Sequence, residues 1–341
     1  MRATSGATTA REAGFRMPAE WEPHARCWMQ WPHRTDFIWP DLDRTQIAYA
    51  NVARAIRRFE PVTMMVSGEG LANAKVHCGD EIDYFVLPLD DSWARDSGPT
   101  FIKSGDELAA SVFLFNAWGR KYERYHNDAA VGHRLAEALG IRTFSANAFL
   151  EGGALAVDGE GTIITAEQCI LNDNRNPGMT KSEAERILCD ALGAEKVIWV
   201  PGDPEDSETD GHIDALACFV RPGVVLCAVG AEELPERRRN LHENWKALEK
   251  ATDARGRRLE LIPLGEAHDA TATSDVYCSS YMNFYIANGG IVFPSFGTDT
   301  DRAAQELVGK LFPSRSLVAV DVSDIAPGRG GIHCITQQQP A

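Results

Sequence analysis

One layout recurs along this chain and limits the folds that it can adopt. A polar residue is followed by a short apolar run, a tight turn with Gly, and a second apolar run. An Asp-Gly or Asn-Gly pair between apolar runs is a strong signal for a β-hairpin. We therefore predict four hairpins, each with a polar side chain just before its first strand. The paired runs are 100–102 with 109–115, 154–157 with 162–166, 215–220 with 224–229, and 284–287 with 291–296, preceded by Asp96, Glu151, Asp214 and Asn283.

Segments with helical periodicity alternate with these hairpins, and a short apolar segment follows each of them. Thr180 with Glu183 resembles a capping box, and Gly140 and Gly193 stand where helix C-caps belong. The repeating unit is therefore strand, strand, helix, strand. The predicted helices cover 43–60, 126–139, 181–192, 235–251 and 301–312, and the strands that follow cover 62–66, 141–144, 197–200, 259–264 and 317–322.

The spacing of the units predicts how many there are. Their turn glycines recur roughly every 60 residues, so 341 residues hold about five units. The fifth unit would pair residues 25–31 with residues 331–337, which closes a ring and leaves no open sheet edge. We expect an α/β fold in one domain over residues 16–341, preceded by a flexible tail over residues 1–15.

Composition narrows the classes of partner. With 44% hydrophobic and 24% charged residues, the chain is an ordinary globular protein. A net charge of −15 without a basic cluster argues against nucleic acid and favours small cations. No apolar run reaches the roughly 20 residues of a membrane span, and the N-terminus lacks a signal-peptide stretch, so we expect a cytoplasmic protein. The eight scattered cysteines form no Cys-x-x-Cys pair, which argues against a zinc ribbon.

Cys334 is the candidate nucleophile. Glycines just before it would let a substrate approach the backbone closely. In an extended strand, Ile332, Cys334 and Thr336 would share one face, and His333 would point away from that face. The alternative is a buried, inert strand cysteine, which is the commoner state of an isolated Cys.

The other candidates are polar residues in the same position of successive units. In an extended chain, Asp210, His212 and Asp214 would lie on one face. Each candidate has a structural alternative: a His held by a nearby Asp, a buried ion pair for Asp96, or a capping carboxylate for Glu151. Their shared position in successive units favours a common site.

Such a set is suited to breaking a C–N bond of a guanidine. Asp96 and Asp214 can each accept two N–H groups of a planar cation. The thiolate of Cys334 can attack the central carbon, and His212 can donate and accept the protons. Glu151 can orient the imidazole and favour its charged form. This chemistry needs no metal and no cofactor.

Longer motifs resemble the agmatine deiminases, which belong to the guanidino-group-modifying (pentein) superfamily. The resemblance extends from about Gly14 to the C-terminus. It implies a fivefold pseudo-symmetric α/β-propeller of ββαβ modules and a homodimer or higher homo-oligomer. The resembling segments are 17–24, 93–100, 151–153, 172–177, 209–214 and 332–338.

The resemblance also implies roles for the candidates. Cys334 would be the nucleophile, His212 the general acid/base with Glu151 as its partner, and Asp96 with Asp214 the guanidinium clamp. Trp93 would form part of the pocket wall, and we count Asp210 with the substrate-binding residues. The implied reaction converts agmatine and water into N-carbamoylputrescine and ammonia through a covalent thiouronium intermediate, a step toward putrescine.

Three features depart from the family pattern. Arg329 stands where the family has Gly, and we expect it to point away from a site for cations. The segment 118–127 is more basic and shorter than in many members, the segment 264–280 is also short, and we expect both to line the mouth of the site. The alternatives are deimination of arginine or peptidyl-arginine, a non-catalytic binding propeller, and a metal site made by His212, Asp214 and Cys334.

Overall fold

The structure is a computed structural model, and it describes residues 8–34, 39–230, 232, 235–267 and 278–341 of a mixed α/β protein. The strands are β1 (His24–Gln30), β2 (Val62–Val66), β3 (Asp83–Val86), β4 (Thr100–Ser104), β5 (Glu107–Leu114), β6 (Arg142–Phe149), β7 (Ala156–Val157), β8 (Thr162–Ala166), β9 (Lys196–Val200), β10 (Ala217–Arg221), β11 (Val224–Val229), β12 (Glu260–Gly265), β13 (Tyr285–Ala287), β14 (Gly290–Ser295), β15 (Ser316–Asp321) and β16 (Thr336–Pro340). The helices are α1 (Leu42–Arg57), α2 (Leu71–Cys78), α3 (Ala94–Ser97), α4 (Ala117–Arg120), α5 (Val131–Leu139), α6 (Glu167–Ile170), α7 (Lys181–Leu192), α8 (Pro235–Lys250) and α9 (Asp301–Leu311).

Across the described part of the chain the strands form five sheets, and four of these have the same three-strand order. In each of the four, two consecutive strands pair antiparallel and a third pairs parallel with the second. A helix connects the second and third strands, since parallel neighbours need a crossover connection. The predicted unit of strand, strand, helix, strand is thereby confirmed. The sheets are β4-β5-β6, β7-β8-β9, β10-β11-β12 and β13-β14-β15, with crossover helices α5, α7, α8 and α9.

The fifth sheet joins the two ends of the chain, in the order β16-β1-β2-β3. β1 pairs antiparallel with β16, with Cys27 opposite Gln338. The predicted pairing of the N-terminal and C-terminal segments is confirmed, but the predicted start of the C-terminal strand is wrong. That strand begins at Thr336, and residues 332–335 form a turn. Cys334 therefore lies just before a strand, as the other candidates do.

The helix ends confirm the capping signals in the sequence. The Thr180 side chain accepts a hydrogen bond from the Glu183 backbone, and the Glu183 side chain accepts one from the Thr180 backbone. Gly140 and Gly193 each have φ 64° at a helix C-cap, a left-handed conformation that glycine adopts without strain. No helix in the described ranges is both long and apolar enough to cross a membrane.

The crossover helices pack between neighbouring sheets. α7 contacts β9 of its own sheet and β6 of the preceding one, and α8 contacts β12 and β9. α9 contacts β15 and β12, and α1 contacts β2 and β15. The largest hydrophobic cluster of the described residues therefore runs through the units, from Ala10 to Ile335, and two smaller clusters contain the buried side chains of α5.

The segment before the first strand is packed where it is described. Ala10 and Phe15 are buried, and the Arg11 backbone N–H donates to the Asp190 carbonyl at 3.0 Å. Residues 8–15, predicted to be part of a flexible tail, contact the domain through the buried side chains of Ala10 and Phe15. Residues 1–7 lie outside the described residues.

Candidate active site

A cavity of about 390 Å³ lies where several units meet. His212, Asp214, Asn283 and Cys334 contribute to its wall. All four are buried, with exposed fractions between 1% and 7%. Polar side chains removed from water in this way need partners, so their contacts define what the site can bind.

A smaller pocket of about 20 Å³ is also lined by Cys334, and it contains Asp96 and Trp93. Glu151 lies behind His212, with its Oε2 atom 3.1 Å from the imidazole Nε2. The polar residues of the repeating layout thus meet at one place. Asp96 lies in α3 before β4, Glu151 before β7, His212 and Asp214 before β10, Asn283 before β13, and Cys334 before β16.

The Cys334 thiol is held by two of these residues. Its Sγ atom lies 3.5 Å from Asp214 Oδ2 and 3.3 Å from Asn283 Nδ2. The Asn283 Oδ1 atom accepts the backbone N–H groups of Cys334 at 3.2 Å and His333 at 2.9 Å. One amide side chain therefore fixes both the turn and the sulfur.

The surroundings of Cys334 favour the neutral thiol. Burial raises the pKa of Cys334 well above its ordinary value, and the carboxylates of Asp214 and Asp96 raise it further. A positive charge between these carboxylates would act in the opposite direction and favour the thiolate.

His212 lies in a row with Glu151 and Arg175. The Arg175 Nε atom donates to both oxygens of Glu151, at 3.0 and 2.9 Å, and both side chains are fully buried. Burial lowers the pKa of His212, but Asp96, Cys169 and Glu151 outweigh this and hold the pKa well above its ordinary value. Burial raises the pKa of Glu151, but Arg175 and His212 outweigh it and keep the pKa low. These surroundings favour an imidazolium next to an ionised carboxylate.

Asp96 faces His212 from the other side. Its Oδ2 accepts the indole N–H of Trp118 at 2.9 Å, and its Oδ1 accepts the Gly153 N–H at 3.1 Å. His212 Nδ1 is buried without a hydrogen-bond partner, 3.9 Å from Asp96 Oδ1. A Cβ on Gly153 would lie 2.4 Å from that nitrogen, so only glycine fits there.

His333 contacts the site, contrary to the prediction that it points away. The Nδ1 atom of His333 lies 2.9 Å from Asp214 Oδ2, and its Nε2 atom lies 2.8 Å from Glu20 Oε1. The prediction was wrong because residues 332–335 are a turn, so side chains do not alternate as in a strand. Burial raises the pKa of Asp214, but the hydrogen bond and charge of His333 outweigh it and lower the pKa.

Asp210, His212 and Asp214 do not lie on an extended chain, so that prediction was also wrong. Asp210 has φ 58°, and residues 213–215 form a short 3-10 turn. Asp210 Oδ2 lies 2.5 Å from Arg175 Nη1 and 2.8 Å from Lys121 Nζ. Asp210 therefore binds the cation that supports Glu151, whereas His212 and Asp214 line the cavity.

Trp93 lies in the wall of the smaller pocket and is 5% exposed. Its ring packs at 5.5 Å from the ring of Trp39. A Cβ on Gly330 would lie 2.4 Å from Trp93, so glycine permits this close approach. The indole is thereby fixed beside Cys334.

One group in the described ranges has metal-ligand spacing: the donor atoms of Glu151, Cys169 and His212 lie within 4.8 Å of one another. This is a different group from the alternative metal site of His212, Asp214 and Cys334. Both Glu151 oxygens already accept bonds from Arg175, so a cation there would compete with a buried ion pair.

Arg329 lines both spaces, contrary to the expectation that it points away. Its guanidinium pairs with Glu208, which lines both spaces as well. Trp118 and Tyr122 confirm that the loop 118–127 reaches the smaller pocket. Of the segment 264–280, Cys278, Ser279 and Ser280 line the larger cavity, and residues 268–277 lie outside the described residues.

Sequence reasoning missed several supporting residues. Asn283 had a signal, because it precedes the fourth hairpin as Asp96 precedes the first. Arg175 and Glu208 lie in loops and Trp118 in the short helix α4, and only the packing of distant segments brings them to the site.

Together, the fold and the site define a mixed α/β protein with a thiol in a buried acidic cavity. The chain belongs to the Porphyromonas-type peptidyl-arginine deiminase family, whose model matches residues 16–340. It is similar to the agmatine deiminase of Ectopseudomonas mendocina (strain ymp), with 39% identity over 363 residues covering 99% of each chain. It is 39% identical to that of Pseudomonas aeruginosa (strain LESB58), over 98% of each chain.

A solved structure of the agmatine deiminase of Enterococcus faecalis superposes with a TM-score of 0.94. That protein is 34% identical in sequence, and the match covers 100% of this chain and 99% of that one. The likeness therefore extends over the whole chain.

Proposed function

We propose that this chain hydrolyses the guanidinium group of agmatine to N-carbamoylputrescine and ammonia, a step toward putrescine. One observation carries the proposal: the Cys334 thiol borders both the cavity with His212 and Asp214 and the pocket with Asp96. The relatives named agmatine deiminase support the choice of this guanidine.

Asp96 and Asp214 are proposed to clamp the guanidinium. Among the described residues, their ion-pair partners within 4.0 Å are histidines, not lysine or arginine. Each buried carboxylate has one imidazole beside it, and a planar cation that offers N–H groups to both would lower the cost of their burial further. Trp93 would close one wall of the pocket beside the flat group.

The substrate cation itself would then activate Cys334. Its charge offsets the two carboxylates that raise the thiol pKa, so binding favours the thiolate beside the carbon to be attacked. Attack forms an S–C bond, and His212 donates a proton to the departing nitrogen, which leaves as ammonia. A covalent thiouronium intermediate remains on Cys334.

Water completes the reaction. His212, now neutral, accepts a proton from a water molecule that attacks the same carbon. The S–C bond breaks as the hydroxyl proton of the adduct passes to sulfur, so the neutral thiol returns and the ureido product leaves. Glu151, held by Arg175, is proposed to orient the imidazole, and Asp210 to support Arg175.

We also infer that the five sheets form a fivefold pseudo-symmetric α/β-propeller, the pentein fold, in one catalytic domain over residues 16–341. The repeated strand order, the helices between neighbouring sheets, and the pairing of β1 with β16 support this arrangement. A homo-oligomer and a cytoplasmic location remain predictions from the sequence.

Deimination of free arginine or peptidyl-arginine is the second candidate. The matching family model is of the peptidyl-arginine type, and Arg329 offers a cation at the cavity that a carboxylate could contact. Ammonia release from agmatine, free arginine and a blocked arginine peptide separates the two. We expect agmatine to have the highest kcat/KM, and a higher value for either other substrate would overturn the choice of agmatine.

Replacement of Cys334 by Ala tests the chemistry. We expect Cys334→Ala to abolish ammonia release while the circular dichroism spectrum is retained. The matched control is Cys78→Ala in α2, a buried thiol outside both cavity linings, which should retain turnover. Turnover near the wild-type rate in Cys334→Ala would refute the nucleophile.

A further inference from the structure

Arg329 places a positive charge at the cavity. It lines both the larger cavity and the smaller pocket, as Cys334 does. Its backbone has φ 74°, in the left-handed region that favours glycine. An arginine in this strained position, beside a site for cations, needs a specific explanation.

The guanidinium of Arg329 is paired with Glu208. The two side chains are 31% and 11% exposed, so the pair is largely shielded from water. The Tyr122 hydroxyl donates to Glu208 Oε1 at 2.7 Å, and Lys121 Nζ donates to the Glu208 carbonyl. The Glu208 carboxylate is thus held in the same two spaces as the thiol.

The pair contributes to the charge that a bound substrate meets beyond its guanidinium, together with Asp203, Glu205, Asp206 and Arg237 in the same lining. Without Arg329, the Glu208 carboxylate would attract a second positive charge at the far end of a substrate. Paired with Arg329, the two groups together are neutral, and an ammonium must compete with a guanidinium that is already in place.

We propose that Arg329 is a specificity-determining residue, which pairs with Glu208 and thereby weakens the preference of the site for guanidines with a distal cation. The inference rests on the proposed function only in taking a guanidine as the substrate. The Arg329–Glu208 pair would then select between guanidines with cationic, neutral and acidic tails.

The test measures binding in the Cys334→Ala background, where turnover cannot interfere. Calorimetric Kd values are measured for agmatine, butylguanidine and 4-guanidinobutyrate, whose tails are cationic, neutral and acidic. Selectivity is the ratio of the butylguanidine Kd to the agmatine Kd. We expect Arg329→Gly to raise this ratio by about tenfold, the effect of one unshielded charge near the ligand.

The partner variant should act in the opposite direction. Glu208→Gln leaves Arg329 without its partner, so the ratio should fall by about tenfold and 4-guanidinobutyrate should bind more tightly. Arg329→Lys retains the charge and should retain the ratio. The matched control is Arg120→Gly, the same substitution at an exposed residue with φ 65° outside both linings, which should not change the ratio.

The outcomes separate this inference from the proposed function. A ratio that changes by less than about twofold in both Arg329→Gly and Glu208→Gln overturns the inference, as does an equal change in Arg120→Gly. If circular dichroism shows that one of the two variants does not fold, the Kd ratio of the other still tests the inference. Ammonia release by the wild type is measured in parallel. If the Kd ratios shift as expected but the wild type releases ammonia from none of the guanidines, the role of the pair is supported and the proposed function is refuted.

Discussion

Replacing Arg175 by Met removes the cation from the most deeply buried ion pair of the site. Both Arg175 and Glu151 are fully buried, and two N–H···O distances of 3.0 and 2.9 Å join Nε to the carboxylate. Removal of Arg175 leaves the buried Glu151 carboxylate with His212 as its remaining ion-pair partner, and breaking a buried pair in this way costs about 3–5 kcal/mol. We therefore expect Arg175→Met to lose that amount of unfolding free energy.

The loss can be measured as a shift in melting temperature. With about 2.1 cal/mol/K of unfolding entropy per residue, a chain of 341 residues has roughly 0.7 kcal/mol/K. The expected fall in Tm is therefore about 4–7 °C by differential scanning calorimetry. The control is Arg255→Met, which removes a half-exposed arginine 3.4 Å from Glu195 and should cost less than about 0.5 kcal/mol.

A double-mutant cycle isolates the pair. Glu151→Gln combined with Arg175→Met removes both charges, so the double variant should lose about 1–3 kcal/mol less than the sum of the single losses. If the single losses add to within about 0.5 kcal/mol, the two side chains do not depend on each other and the reasoning is refuted.

Three further predictions concern the reacting groups. Asp96→Asn should lower kcat/KM for agmatine by at least about 100-fold, because a neutral amide cannot clamp the cation; if stability falls while kcat/KM is retained, Asp96 is structural. Gly153→Ala should lower kcat/KM by about 100-fold, since its Cβ would lie 2.4 Å from His212 Nδ1. The control is Gly68→Ala, because a Cβ at Gly68 would have no heavy atom within 4 Å, and we expect its kcat/KM to be unchanged. Because the pKa of Cys334 is raised, alkylation of its thiol by a neutral haloacetamide should rise with pH only above about 8.5, the value for free cysteine. In Asp96→Asn, which removes one negative charge, the midpoint should move to lower pH, and an unchanged midpoint would contradict the electrostatic argument.

Much of the fold was predictable because it rests on local signals. The apolar runs on either side of Gly turns became hairpins, and α7 has the predicted bounds and capping box. The pairing of β1 with β16 was predicted from the repeat, which needs a partner for the first strand. The strand predicted for residues 331–337 was wrong at its start, because residues 332–335 form a turn in which the N–H groups of His333 and Cys334 donate to Asn283.

For the site, the sequence by itself determined the residue types and their shared place ahead of each hairpin. That was enough to propose Asp96, Glu151, His212, Asp214 and Cys334 as candidates. Only the tertiary structure decided which groups hold them, because hydrogen bonds between distant loops leave no periodic signal in the sequence. His333 against Asp214, Arg175 against Glu151, and Arg329 against Glu208 are such contacts. These contacts set the charge and the burial of the cavity, so neither property can be determined before the chain is folded.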